Sequence, residues 1–397
     1  MRLLQIHNKY QFAGGEDVVA ENERQLLSEK GHDVILLVKD NKEIELFTAF
    51  QKLSLLWKTT WSNTSYYQVI DQLKKIQPDI CHVHNFFPLF SPAIYYACDE
   101  LGIPVVQTLH NYRLLCTNAY LFRNGHVCEE CLGRTTYHSV QYGCYRDSHI
   151  QSYAVARMIE KNRNWGTWDE KIDAYICLTQ FSKQKFIQGG FSNSKIYVKQ
   201  NYLPIDPGIS ENQGEYFLFA GRLDETKGLK VLLDATTKLS STKFVIAGDG
   251  PLRDMLLKQN LKNIDYKGRV SREQMDVLIR NCIALVFPSI WYECMPMSII
   301  EAFANGKPVI ASKLGALEEI VKDGETGLLF EPNNTIDLES KLKWALTHRK
   351  EIDQMGKNAR KEFELKYTKE TNYPILMNIY DQAKVNRQKS KQKSGHS

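Results

Sequence analysis

Short apolar runs recur along the chain, each followed by a turn and then by a stretch with apolar residues three and four apart. MRLLQI opens the series. A turn containing Gly14-Gly15-Glu16 leads into DVVAENERQLLSEKG, closed by Gly31, and HDVILLVKD follows. The same rhythm continues through DICHVH, IPVVQTLH, AYICLTQF and IYVKQNY. Short apolar runs that alternate with helical periods predict a parallel sheet with helices on its faces. LPIDPG then reads as a linker. Beyond it EYFLFAGRL, KFVIAGDG, NIDYKGRV, IALVFPS, PVIAS and TGLLFE repeat the pattern with helices between them. The expectation is an α/β protein of two doubly wound, Rossmann-like domains facing a central cleft. They cover residues 1–204, with a cysteine-bearing insertion at 113–150, and 205–369.

One stretch departs from plain core patterning: FPSIWYECMPMSIIEAFANGKP at 287–308. Pro296 and the apolar run after it predict a helix ended by Gly306. Glu293 then lies in the loop before that helix and Glu301 inside it. The amides at the helix start form an anion site. A carboxylate ahead of such a site and another beside it suit a ligand with hydroxyls at both ends and phosphates between. A buried helix with a capping glutamate fits the same residues.

GRLDETKG at 221–228 supplies the matching cations. Arg222 and Lys227 follow a strand at its carboxyl end, where sheet ligands bind. A guanidinium grips phosphate with a fork and an ammonium adds a movable charge, together able to stabilise a departing diphosphate. A solvated basic turn is the plain alternative. His84 and His110 close two apolar strands of the first half. They are either site residues or satisfied structural histidines.

Composition adds little: 43% apolar and 24% charged are ordinary values. The net charge of +5 comes from the tail at 384–397, KVNRQKSKQKSGHS, and the body is neutral without it. That tail is expected to be disordered. The neutral body points to no nucleic-acid partner, and the tail reads as a solubilising end or as a segment that leans on anionic lipid or nucleic acid. No apolar run approaches ~18 residues and no signal peptide is seen, so a cytoplasmic protein is expected. FTAFQKLSLLWKTTWSNTSYYQ at 47–68 is aromatic. Core-facing helices are the simpler reading, and an amphipathic surface meeting a membrane or a lipid-linked partner is the other.

Cys116, Cys128, Cys131 and Cys144 are spaced C-x11-C-x2-C-x12-C within a polar, glycine-containing insertion. Such spacing suits a structural zinc held by thiolates. Reduced, partly buried thiols or an iron–sulfur cluster are the alternatives. Cys81, Cys98, Cys177 and Cys282 sit in apolar segments and read as core.

The ordered set Gly14-Gly15-Glu16, His110, GRLDETKG, GDGP at 248–251, FPS…E-x7-E and DGETGLLFEP at 323–332 resembles family 4 of the retaining glycosyltransferases, of GT-B fold. The resemblance spans nearly the whole chain. It implies that Arg222 and Lys227 bind the diphosphate of a UDP- or GDP-sugar. It also implies that Glu293 bonds the donor sugar, that Met295, Pro296, Met297 and Ser298 bring backbone to sugar and phosphate, and that Glu301 holds the ribose. Val270 is implied near the base, Gly14 and Gly15 near the phosphates, and His110 near the transferring sugar. Catalysis needs no cofactor in this reading. The expected acceptor is a saccharide or lipid-linked saccharide, with peripheral contact expected at the inner membrane face and a place expected in surface or capsular polysaccharide assembly. A last helix at 370–383 is implied to cross back onto the first domain. Cys294 stands where the family has glycine, and the cysteine insertion marks a subgroup. A non-catalytic sugar-nucleotide-binding or scaffold protein of the same fold is the alternative. A dinucleotide oxidoreductase would need GxGxxG, which is missing.

Overall fold

The computed structural model describes residues 1–11 and 14–394. The chain forms two units. One takes Met1–Leu121, Cys128–Gln200 and the chain from Asn372 onward, and the other takes Phe122–Val127 and Asn201–Thr371.

In the first unit run β1 (Arg2–Lys9), β2 (Asp33–Asp40), β3 (Ile80–Asn85) and β4 (Val105–Leu109). A hairpin of β5 (Phe122–Arg123) and β6 (His126–Val127) interrupts it and is counted in the second unit. The first sheet is completed by β7 (Ala174–Cys177) and β8 (Ile196–Val198). Its order is β2-β1-β3-β4-β7-β8, parallel throughout. The second unit carries β9 (Tyr216–Ala220), β10 (Phe244–Ala247), β11 (Ile264–Gly268), β12 (Cys282–Phe287), β13 (Val309–Ser312) and β14 (Gly327–Phe330). Their order is β11-β10-β9-β12-β13-β14, again parallel. In each sheet the order reverses beside the unit's first strand. The crevice a ligand favours therefore lies beyond the carboxyl ends of β1 and β3 in one unit, and of β9 and β12 in the other.

These central strands are buried on both faces, which is why they read as continuous apolar runs rather than alternating ones. Phe217, Phe219, Phe244, Ile246 and Val286 anchor the second core. In the first, Leu3, Ile80, Val106 and Ile176 meet Leu376, Ile379, Tyr380 and Ala383. Those last four recur three, four and seven residues apart, a helical stripe. Each large side chain so buried contributes about 1.5–3 kcal/mol.

That stripe belongs to a helix over Lys369–Ser394, so the tail expected to be disordered from 384 is helical through Ser394. The reason is one further turn of the stripe. Arg387 is buried, its Nε donates to Asp173 Oδ2 at 3.1 Å, and Asp99 accepts from its Nη1. Residues 395–397 lie outside the described residues.

A second correction concerns 47–68. The Asn63–Ile76 helix does bury Val69, Ile70 and Leu73. The Ala49–Lys58 helix buries nothing, and Phe50 and Trp57 are 79% and 57% exposed. Among the described residues no helix is long and apolar enough to cross a membrane.

Candidate active site

In the second unit β9 delivers the turn 221–228. Asp224 closes it, accepting from the Thr226 hydroxyl at 2.6 Å and the Lys227 amide at 3.3 Å. Arg222 Nε lies 3.3 Å from Asp224 Oδ2, with 54% of the arginine side chain exposed. Gly228 has φ +67, and a Cβ there would fall 1.8 Å from the Pro288 carbonyl oxygen. Only glycine lets this turn lie on the segment that leaves β12. The Ile290 amide donates across the same seam to the Thr226 carbonyl at 2.9 Å.

That seam sets Lys227 against Glu293. Their Nζ–Oε1 distance is 2.6 Å, and the carboxylate is 5% exposed. The same oxygen accepts from the Ser289 hydroxyl and the Trp291 indole, both at 2.8 Å. The Lys227 ammonium also lies 5.3 Å from the Trp291 ring centre and 5.6 Å from that of Phe287. A cation at the switch point is thus fixed by a carboxylate that is itself held by two neutral donors.

The helix beyond spans Met297–Ala304, with Pro296 one residue outside it as the N-cap rather than its first residue. No side chain caps this end, so its amides favour an anion. Asn201 braces the approach: its amide donates to Met295 Sδ at 3.2 Å and its carboxamide to the Met295 carbonyl at 3.3 Å. Met297 and Ser298 open the helix and are half-buried. Burial pushes the Glu301 carboxyl above its usual value, with Arg272 opposing and Asp276 adding to the shift. Val270 is half-buried just ahead of Ser271, which caps the Arg272–Arg280 helix. The expected residues therefore fall into a tight pair, Lys227 with Glu293, and two separate settings. Arg222 is tied to its own turn, and Glu301 is influenced by Arg272 and Asp276.

In the first unit Gly14 and Gly15 open the Gly15–Glu29 helix. The Gly14 amide donates to Asp17 Oδ2 at 2.8 Å, and Asp17 Oδ1 meets His7 Nε2 at 2.7 Å. Phe12 and Ala13 lie outside the described residues. His84 and His110 stack, with ring centres 5.3 Å apart and Nδ1 to Nε2 at 3.0 Å. Burial pushes the His110 imidazole well below its usual value, with neighbouring His84 adding to the shift.

Beneath them lies a group that sequence reasoning passed over. Glu23, His82 and His84 bring their ligating atoms within 4.8 Å of one another, all buried, which no other such trio among the described residues does. Two signals were available. His82 and His84 are two apart in a strand and so share a face. Glu23 lies on its helix's apolar stripe with Val19, Ala20, Leu26 and Leu27. The group does not suit a dication: Lys199 Nζ is 3.1 Å from Glu23, and both nitrogens of His82 are engaged, by Tyr380 and Thr108 at 2.8 Å.

All nine cysteines are free thiols. Cys131 is pushed up to about 12 by burial and then by Cys116, Cys144 and Cys128, so the four are electrostatic neighbours. Burial also raises Cys116, while the backbone at Leu121 and Asn118 opposes this by hydrogen bonding to its sulfur. Four thiols are a donor set that suits zinc chemically, with backbone groups bonding to the sulfurs of Cys116 and Cys131, although no three of the four sulfurs lie within 4.8 Å of one another. The insertion is better packed than its polarity implied, since Leu114, Leu115, Ala119 and Leu121 are buried.

Comparisons with known proteins bear on the family and the fold. Residues 13–206 match the family described as Glycosyltransferase Family 4, and residues 206–362 match Glycosyl transferases group 1. An uncharacterized glycosyltransferase of Methanocaldococcus jannaschii is 32% identical over 53% of this chain and 60% of its own length. The O-antigen chain mannosyltransferase C of Escherichia coli is 28% identical over 42% of this chain and 46% of its own. The chain thus spans about half the length of these curated relatives. The Anabaena protein HepE, solved with UDP-glucose, superposes with a TM-score of 0.67 at 16% identity, over 96% of this chain and 100% of that one. A family 4 domain followed by a group 1 domain, on two parallel doubly wound sheets, makes this chain a glycosyltransferase family 4-like protein of GT-B fold.

Proposed function

We propose that the protein is a retaining glycosyltransferase that moves a sugar from a UDP- or GDP-sugar to a hydroxyl of a saccharide or lipid-linked saccharide. The observation that carries this reading is the Lys227–Glu293 pair at the switch point of the second sheet, beside an uncapped helix start. In the reaction the bond from the sugar's anomeric carbon to the diphosphate breaks. The bond to the acceptor oxygen forms on the same face, and the acceptor proton passes to the departing diphosphate. Lys227, Arg222 and the amides at Met297 and Ser298 would carry the charge that develops on the leaving group. Glu293 would orient sugar hydroxyls, Glu301 the ribose, and Val270 would flank the base. Fixed cations are suited to do without a divalent ion. His110 would lie at the transferring sugar, and Gly14 and Gly15 would admit phosphate. The likeness to an O-antigen mannosyltransferase supports a place in surface polysaccharide assembly.

Two structural roles accompany this reading. Zinc on Cys116, Cys128, Cys131 and Cys144 would cross-link the insertion and take no part in the reaction. The outward stripe of Leu46, Phe50, Leu53 and Trp57 would rest the protein on the inner membrane face, near a lipid-linked acceptor. The test is transfer itself, assayed with UDP-glucose and GDP-mannose among a panel of sugar nucleotides and a lipid-linked acceptor. Glu293→Ala should abolish it in a protein that still folds. Undiminished transfer in that variant would overturn the assignment. Sugar-nucleotide binding with no transfer to any acceptor would favour the non-catalytic alternative.

A further inference from the structure

A row of buried ionisable groups runs through the first unit to His110. Lys199 Nζ lies 3.1 Å from Glu23 Oε2. Glu23 Oε1 lies 3.0 Å from His82 Nδ1 and 3.4 Å from His84 Nε2. His84 Nδ1 then lies 3.0 Å from His110 Nε2. The side chains of Lys199, Glu23, His82 and His84 are 3%, 2%, 2% and 0% exposed, and His110 is the half-buried end of the row.

Proton positions follow from simple rules. Burial opposes ionising Glu23, but Lys199 and then His82 outweigh it and hold the carboxyl well below its usual value. A neutral imidazole carries one N–H and one lone pair. His84 turns Nε2 to the carboxylate and Nδ1 to His110. The 3.4 Å contact is poorly aligned for a hydrogen bond, but a bare lone pair facing a buried carboxylate would be repelled, so the proton belongs on Nε2. Its Nδ1 is then bare and accepts. Across 3.0 Å His110 Nε2 must donate, which leaves His110 Nδ1 without a proton. On the second branch His82 Nδ1 faces Glu23 and Tyr380, and its Nε2 meets the Thr108 hydroxyl at 2.8 Å. His7, whose ring centre lies 6.2 Å from that of His84, pairs with Asp17 at 2.7 Å, and the carboxamide of Asn111, next along the chain from His110, donates to Glu16 and Tyr10.

We propose that Lys199, Glu23 and His84 are positioning residues that lock His110 as its Nε2–H tautomer, so that His110 offers a bare Nδ1 acceptor to a hydroxyl of the sugar substrate. The last clause rests on the reading that His110 lies at the transferring sugar. The lock itself does not.

The experiment is long-range proton–nitrogen correlation NMR on the full chain with ¹⁵N-labelled histidine at pH 7.5. The expected spectrum shows His110 and His84 neutral and each in a single Nε2–H form, assigned by His110→Gln and His84→Gln. An Nδ1–H or protonated His110 in the wild type overturns the proposal, and that result needs no other variant to fold. Glu23→Gln removes the anion but keeps the shape. It should mix the tautomers of His84 and His110 and lower kcat/KM for the donor roughly tenfold, the worth of about one neutral hydrogen bond. Unchanged tautomers in Glu23→Gln would overturn the lock. UDP-glucose and GDP-mannose are then added in turn. A donor that raises the melting temperature yet leaves His110 Nδ1 unmoved would overturn the sugar contact and leave the lock standing.

Discussion

Lys227 Nζ sits 2.6 Å from Glu293 Oε1, and that oxygen also accepts from Ser289 and Trp291. The lysine's charge is therefore steered by the residue proposed to read the sugar. Lys227→Met should leave a buried carboxylate facing two neutral donors. With Lys227 21% exposed, the loss should be near the lower end of the range for broken buried pairs, about 3 kcal/mol. Turnover should fall about 10²–10³-fold if the ammonium meets the leaving group. Lys227→Met/Glu293→Gln should be more stable than the sum of the single losses implies. Strict additivity in urea melts would contradict the coupling.

Acid should loosen the first unit through its histidine row. Burial first, and then His82, pushes His84 down to about 4. Between that value and the usual ~6.5 the unfolded chain binds a proton that the folded one refuses. Stability should be full above about pH 6.5 and fall by about 3 kcal/mol as pH drops to 4. Glu23, held well below its usual value, adds a loss of the same sign below about pH 4.5. His84→Gln should flatten the upper part of that fall. Equal slopes for wild type and variant in urea titrations would refute it.

The C-terminal cations hold structure. Arg387 spans Asp173 and Asp99, and the Asp173 side chain is wholly buried. Arg387→Met should cost about 3–5 kcal/mol, whereas a substitution in a loose tail would cost less than ~0.5. Ending the chain at Ala383 should be at least as damaging. A melting temperature unchanged by either alteration would show that the last turns do not hold the fold.

Purified protein should retain close to one zinc per chain if the four thiols bind it. Cys131→Ser should release the metal and destabilise the insertion without altering sugar-nucleotide affinity. Metal-free protein with the same melting temperature as the zinc-supplemented sample would favour plain thiols.

The outward stripe should confer lipid binding. Phe50→Ser/Trp57→Ser should weaken sedimentation with anionic phospholipid vesicles by about tenfold or more, while solution transfer to a soluble acceptor persists. Equal sedimentation of both proteins would remove the membrane role.

The alternation of strands and helices, the glycine turns and the placing of GRLDETKG at a strand end were legible because each rests on local rules: apolar period, turn chemistry, and the carboxyl end of a strand. What stayed hidden depended on partners far away in sequence. Arg387 looked like one more cation of a solvated run, because Asp173 lies 214 positions away. Glu23 drew no reading at all, although it sits on the apolar stripe of its helix and meets Lys199 from the far end of the sheet. The Ala49–Lys58 helix has the apolar spacing of a core helix, and amphipathicity does not say which side finds cover.

Gly248, at φ +139, has no room for even a methyl group, since a Cβ would come within 1.8 Å of the Gly221 carbonyl oxygen. The loops after β9 and β10 are thus stacked main chain on main chain, at the peptide that joins Gly221 to Arg222. Alanine at 248 would push on the arginine's own peptide, so a change in one turn is felt in the other. Any redesign at this end of the second sheet has to treat the two turns as a single part.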